Sequence, residues 1–202
     1  MRYFLHIKYI APEANHAFVA GKCIACLHGF MSLSKITTAS IGVTFPSWST
    51  DAIGNSIAFV SKDINALSYI SSVQYLKNMA NEGFVEVSDI ELVPTEAEEV
   101  RFIRNQHVAK SFPAEVKRRL IRAKKRAEQR GEPFMPSDIV SNRIVDHYHV
   151  IPMDSRSSGQ RFALYVQRAT LDGKSGQGSY NSYGLATHHK HCASVPSLQQ
   201  IT

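Results

Sequence analysis

The chain has 202 residues, 44% of them apolar and 20% charged, with a net charge of +6 and three cysteines. That length and apolar share exclude a disordered chain and allow one large domain or two small ones sharing a core. An N-terminus broken by Arg2, His6 and Lys8 is no signal peptide, no apolar run reaches spanning length, and three cysteines without an export signal point to the reducing cytoplasm.

In chain order, residues 2 to 10 (RYFLHIKYI) alternate as a strand, and Pro12 and Glu13 suit the first turn of a helix. Ala17, Ala20, Ile24, Leu27 and Met31 then recur at helical spacing. IGVTFP (41 to 46) and SIAFVSK (56 to 62) are short strands around a loop with Asp51, Gly54 and Asn55. Ile64, Leu67, Ile70, Tyr75, Leu76 and Met79 mark a second amphipathic helix that stops near Gly83, and FVEVSDIELV (84 to 93) closes the set. This βαββαβ order is that of the ferredoxin-like unit, a scaffold that fixes no activity by itself.

The acidic PTEAEE (94 to 99) reads as a linker. An extended VRFIRNQHV follows, then a basic helix from about Pro113 to Arg130, a Gly/Pro loop, strands near 147 to 153 and 161 to 169, a Gly/Ser loop over 172 to 182 and a short strand at YGLA. The expectation is an α+β protein. A ferredoxin-like unit over residues 1–94 precedes a divergent α+β RNA-binding domain, with the basic helix and a hairpin, over 95–202.

Charge is concentrated in that helix. Lys117, Arg118, Arg119, Arg122, Lys124, Lys125, Arg126 and Arg130 face one acid, Glu128, so this segment carries +7 and the remainder of the chain sums to −1. Val116, Leu120, Ala123 and Ala127 form its docking stripe, while Arg119, Arg122 and Arg126 share another face. So many cations without acidic partners one turn away fit a phosphate backbone better than a merely solvated helix. No aromatic lies between Phe112 and Phe134, so a folded or hairpin nucleic acid fits better than a stacked single strand.

Carboxylate pairs for a two-metal nuclease are not evident. RNA supplies its own 2′-hydroxyl nucleophile, which needs a base, a group holding the ribose and donors for the phosphorane charge. Among nine histidines, His28 stands at the rim of the first helix's apolar stripe, a position equally open to a structural histidine. Cys23 and Cys26 with His188, His189, His191 and Cys192 raise a zinc reading, but a C-x-x-C within a helix and no second close pair is a weak signal; small core cysteines account for it better. No metal or other cofactor is expected.

LHGF (27 to 30), GVTFP (42 to 46), the stretch S-x-S-S-G-Q-x-F from Ser155 to Phe162, and YGLA (183 to 186) before a Val-Pro tail occur in an order that resembles the repeat-processing endoribonuclease of type I-F CRISPR systems. The likeness spans nearly the whole chain and extends to the transposon-associated branch of that family. It implies metal-independent cutting of CRISPR precursor RNA below a hairpin, a 2′,3′-cyclic phosphate product, and a protein that stays on the hairpin beside other effector subunits, with a transposition adaptor as a further partner. By the same resemblance His28 is the general base, Ser155 holds the ribose 2′-hydroxyl and Tyr183 contributes near the site. Phe162 stacks at the hairpin foot, Ser157 and Ser158 lie near the RNA, and Arg104 and Gln106 match an R-x-Q contact segment. Arg119 and Arg122 match groove-bound arginines and Lys124 a further contact, with Arg118 and Arg126 beside them. The chain departs from the family pattern at Ala123 and Lys124, and by one extra residue between Gln106 and AKS (109 to 111). A hairpin-binding subunit that never cleaves is the alternative.

Overall fold

The structure, a computed structural model, describes residues 1–33, 41–135, 146–155, 158–171 and 178–199. In chain order the elements are β1 (Tyr3–Tyr9), α1 (His16–Leu33), β2 (Ile41–Thr44), β3 (Ser56–Ser61), α2 (Ile64–Ser71), α3 (Gln74–Asn81), β4 (Val85–Leu92), β5 (Glu99–Arg104), α4 (Gln106–Ser111), α5 (Pro113–Arg130), β6 (His149–Asp154), β7 (Arg161–Thr170) and β8 (Val195–Pro196). The class is α+β. Two four-stranded sheets have the orders β2-β3-β1-β4 and β6-β7-β5-β8, with every neighbouring pair of strands antiparallel.

Alternation in β1 decides which residues enter the core. Leu5, Ile7 and Tyr9 join the main cluster, while Phe4 on the opposite face packs with Ala58, Val60 and Leu198. The main cluster is continuous across both sheets, running from Leu5 and Phe59 through Cys23, Ile24 and Leu27 of α1 to Phe102, Ile151 and Leu164. Gly21 makes the packing of α1 on β6 possible: a Cβ there would collide with the Pro152 carbonyl oxygen. Phe45, Trp48 and Phe102 close the seam, with ring centroids 5.0 to 5.8 Å apart.

Four expectations about elements are corrected. The first helix starts at His16, because the Asn15 side chain accepts the Phe18 N–H as an N-cap; Pro12 and Glu13 lie in the preceding turn. The second helix is two, α2 and α3. Ser68, Ser71 and Ser72 hydroxyls donate to carbonyls three or four residues back, and the chain bends at Val73. The extended stretch ends at Arg104, where Asn105 caps α4 by accepting the His107 N–H. The YGLA strand reduces to one bridge, Ala186 with Ile103. Residues 172–177 of the Gly/Ser loop lie outside the described residues.

Candidate active site

His28 lies two helical turns past Gly21, on the part of α1 that faces the chain's last turns. Its Nδ1 is 3.1 Å from the carbonyl oxygen of Ser182. A carbonyl only accepts, so Nδ1 carries the proton in this contact, and a neutral ring keeps its lone pair on Nε2. The imidazole also stacks on Tyr183, with centroids 4.4 Å apart and planes 12° apart. The Arg104 guanidinium lies 4.7 Å from the centre of the same tyrosine ring, and Phe162 meets it edge-on at 6.3 Å. Four of the residues singled out from the sequence, drawn from α1, β5, β7 and the 181–185 turn, therefore meet around one phenol ring.

That turn is built by a residue the sequence reading passed over. The Asn181 side-chain oxygen accepts the N–H groups of Tyr183 (2.8 Å) and Leu185 (3.2 Å), while its main chain exchanges bonds with Gly184 and Leu185. Gly184 completes it at φ +73°, where a Cβ would stand 2.6 Å from Val43 Cγ2 and 2.7 Å from Leu27 Cδ2. Val43 N–H donates to the Gly184 carbonyl in one sheet, and Ala186 exchanges bonds with Phe102 and Arg104 in the other. The available signal was the Asn-x-x-Gly spacing, an Asx turn with a left-handed glycine.

Ser155 stands on the adjoining hairpin tip, two residues past Met153, the strand partner of Phe162. Its hydroxyl oxygen accepts from Ser158 Oγ (2.8 Å) and more weakly from Ser158 N–H (3.3 Å). Its main chain closes the tip through Gln160 and Gly159, the latter at φ +65°. Just before it, Lys22 of α1 holds Asp154 at 2.8 Å, and this ammonium keeps the Asp154 carboxyl below its ordinary range. Ser157 lies outside the described residues. Gln106 opens α4, exposed and two residues from Arg104.

Arg118, Arg119, Arg122, Lys124 and Arg126 are all exposed along α5, which Gly131 stops in a left-handed C-cap. The expected lack of acidic partners is corrected. Arg118 and Arg122 share Glu115, at 2.5 and 3.8 Å, Lys124 reaches Glu128 at 3.9 Å, and Arg130 pairs with Glu132 at 2.8 Å. Two of these acids, Glu115 and Glu132, flank the basic run of residues 117–130. Lys117, Arg119, Lys125 and Arg126 make no ion pair among the described residues, so the uncompensated field comes from these four. Exposed pairs of this kind contribute only about 0–1 kcal/mol each, and a phosphate displaces them at small cost.

Cys23 and Cys26 are buried in the core, and burial pushes the Cys23 thiol far up. Among the described residues no three His, Cys, Asp or Glu side chains group to hold a metal ion. No helix among them is long and apolar enough to cross a membrane.

The family model of the CRISPR-associated protein Cas_Csy4 matches residues 4–198. A search of curated proteins found no match. Among solved structures, one described as "Crystal structure of Cas6b" is 13% identical, covering 96% of this chain and 100% of its own, with a TM-score of 0.28.

Proposed function

Because the chain belongs to the Cas_Csy4 family of type I-F CRISPR repeat-processing endoribonucleases, we propose that it cuts CRISPR precursor RNA at the foot of a repeat hairpin. His28 Nε2 takes the proton of the ribose 2′-hydroxyl, which attacks the adjacent phosphorus. The 5′-oxygen leaves as the hydroxyl of the downstream fragment, protonated from solvent to which His28 gives up its own proton, and a 2′,3′-cyclic phosphate remains on the upstream fragment. Ser155 orients the ribose, Tyr183 holds the imidazole, and Phe162 closes on the last base pair. Arg104, Gln106, Ser157, Ser158 and the cations of α5 grip the RNA. The step needs no metal ion, since the nucleophile is part of the substrate and the base is on the protein. The protein then stays on the product hairpin as a subunit of the effector complex, where a transposition adaptor is a further candidate partner.

One observation carries this reading: the Nδ1 contact with Ser182 O, which leaves a basic lone pair on a ring fixed by stacking. Incubation with the repeat RNA in EDTA tests it. One cut with a cyclic phosphate end is expected, and His28→Ala slows it ~10²–10⁴-fold while hairpin affinity stays within about twofold. Cleavage that appears only with added divalent metal overturns the mechanism. Tight binding with no product under any condition leaves the non-cleaving hairpin subunit.

A further inference from the structure

At the end of β6 away from Ser155, two imidazoles and a main-chain carbonyl converge. His147 Nε2 and His149 Nε2 are 3.3 Å apart, and His149 Nε2 is 2.8 Å from the carbonyl oxygen of Ser49, in the β2–β3 loop. Both rings stand edge-on to Trp48, at 4.4 Å for His149 and 6.5 Å for His147, so the buried indole sets their orientation.

A single proton bridges only one of the two pairs at a time, His149 with Ser49 O or His149 with His147. With its proton on Nε2, neutral His149 donates to Ser49 O and has no lone pair left for His147. With the proton on Nδ1, its Nε2 lone pair faces the lone pairs of the carbonyl. A cation satisfies all three atoms at once. Donors held at about 2.0–2.1 Å from an ion lie about 2.8–3.4 Å from one another in four- to six-coordinate geometry, and both measured separations fall in that range. The local charge favours a cation as well: Asp51 and Asp146, two residues from Ser49 and one from His147, make no ion pair among the described residues.

We propose that His147, His149 and the Ser49 carbonyl bind one divalent transition-metal ion of the zinc class, with water in the open positions. The imidazoles suit a borderline-soft ion better than magnesium or calcium. The ion ties the β2–β3 loop of one sheet to the start of β6 in the other, so it is a structural clip, set apart from the residues around Tyr183.

The test is a zinc titration of chelator-stripped full-length protein, read by calorimetry and by thermal melting. His147 is exposed, so His147→Ala leaves the core intact. The wild type is expected to take up one equivalent and to melt several degrees higher with zinc, because the ion binds the folded state. His147→Ala loses both effects, whereas His188→Ala/His189→Ala in the tail keeps them. RNA cleavage by His147→Ala at low temperature stays at the wild-type rate. No uptake by the wild type, or equal uptake by His147→Ala, overturns the site; a loss of cleavage in His147→Ala overturns the separation of clip from chemistry.

Discussion

The rings of His28 and Tyr183 lie 12° from parallel with their centres 4.4 Å apart, although the two residues are 155 positions apart in the chain. Stacking fixes the plane of the imidazole, and the Ser182 carbonyl fixes its rotation within that plane. Together they hold the Nε2 lone pair in one direction, with no charged partner on the ring among the described residues.

An offset aromatic pair is worth about 0.5–1.5 kcal/mol beyond its buried area, which corresponds to about 2–10-fold in rate when the pair serves to hold a base. Tyr183→Ala is expected to slow single-turnover cleavage by that factor with hairpin affinity unchanged. Tyr183→Phe keeps the ring and stays near the wild-type rate. A Phe variant as slow as the Ala variant shows that the hydroxyl acts in the reaction, against the stacking account.

Asn181→Ala removes the acceptor of two main-chain N–H groups in the turn that carries Ser182 and Tyr183. Unsatisfied groups of this kind cost about 1–3 kcal/mol, or roughly 2–10 °C in melting temperature for a chain of this size. Cleavage should slow together with the melting shift. Asn181→Asp retains the acceptor oxygen and should recover most of both; a melting curve for Asn181→Ala superimposable on the wild type refutes this role.

In α5 the ion-pair pattern separates free cations from compensated ones. Each phosphate contact contributes about −0.7 to −0.9 to the slope of log K against log salt. Arg119→Gln/Arg126→Gln should therefore flatten the slope by about 1.4–1.8. Glu115→Gln releases Arg118 and Arg122 and should tighten hairpin binding at low salt. Weaker binding by the Glu115 variant is the result that removes this helix from the interface.

His6 sits half-buried in β1 with Nε2 buried and unpartnered, and burial, helped by Lys8, lowers its pKa below the ordinary value of 6.5. The unfolded chain thus takes up this proton first as pH falls. The neutral ring's contribution is complete above pH 6.5 and is lost as pH drops from there toward the folded value. Melting temperatures measured from about pH 7.5 down to about pH 5 should fall more steeply for the wild type than for His6→Gln. Parallel curves exclude His6 as a source of acid sensitivity.

Elements with a clear period were legible in the sequence: β1, β7 and α5 follow from alternation or from a helical stripe with Pro113 at its start and Gly131 at its end. Boundaries set by side-chain bonds to the backbone were not. Asn15 and Asn105 decide where α1 and α4 begin, and the serines after Leu67 decide where α2 stops. In the site, His28, Tyr183 and Phe162 were reachable through short motifs in a fixed order. The tautomer of His28, the place of Arg104 over Tyr183 and the work of Asn181 depend on contacts between distant segments, which no local pattern encodes.

The turn from Asn181 to Ala186 is anchored to β2 on one side and to β5 on the other. A slide of one layer against its neighbour would drag Tyr183 off the imidazole while every ladder of each layer remained intact. With His28 as the proposed base, cleavage is expected to report the mutual alignment of the two layers, and to fall on warming or in mild denaturant before spectroscopy registers any melting.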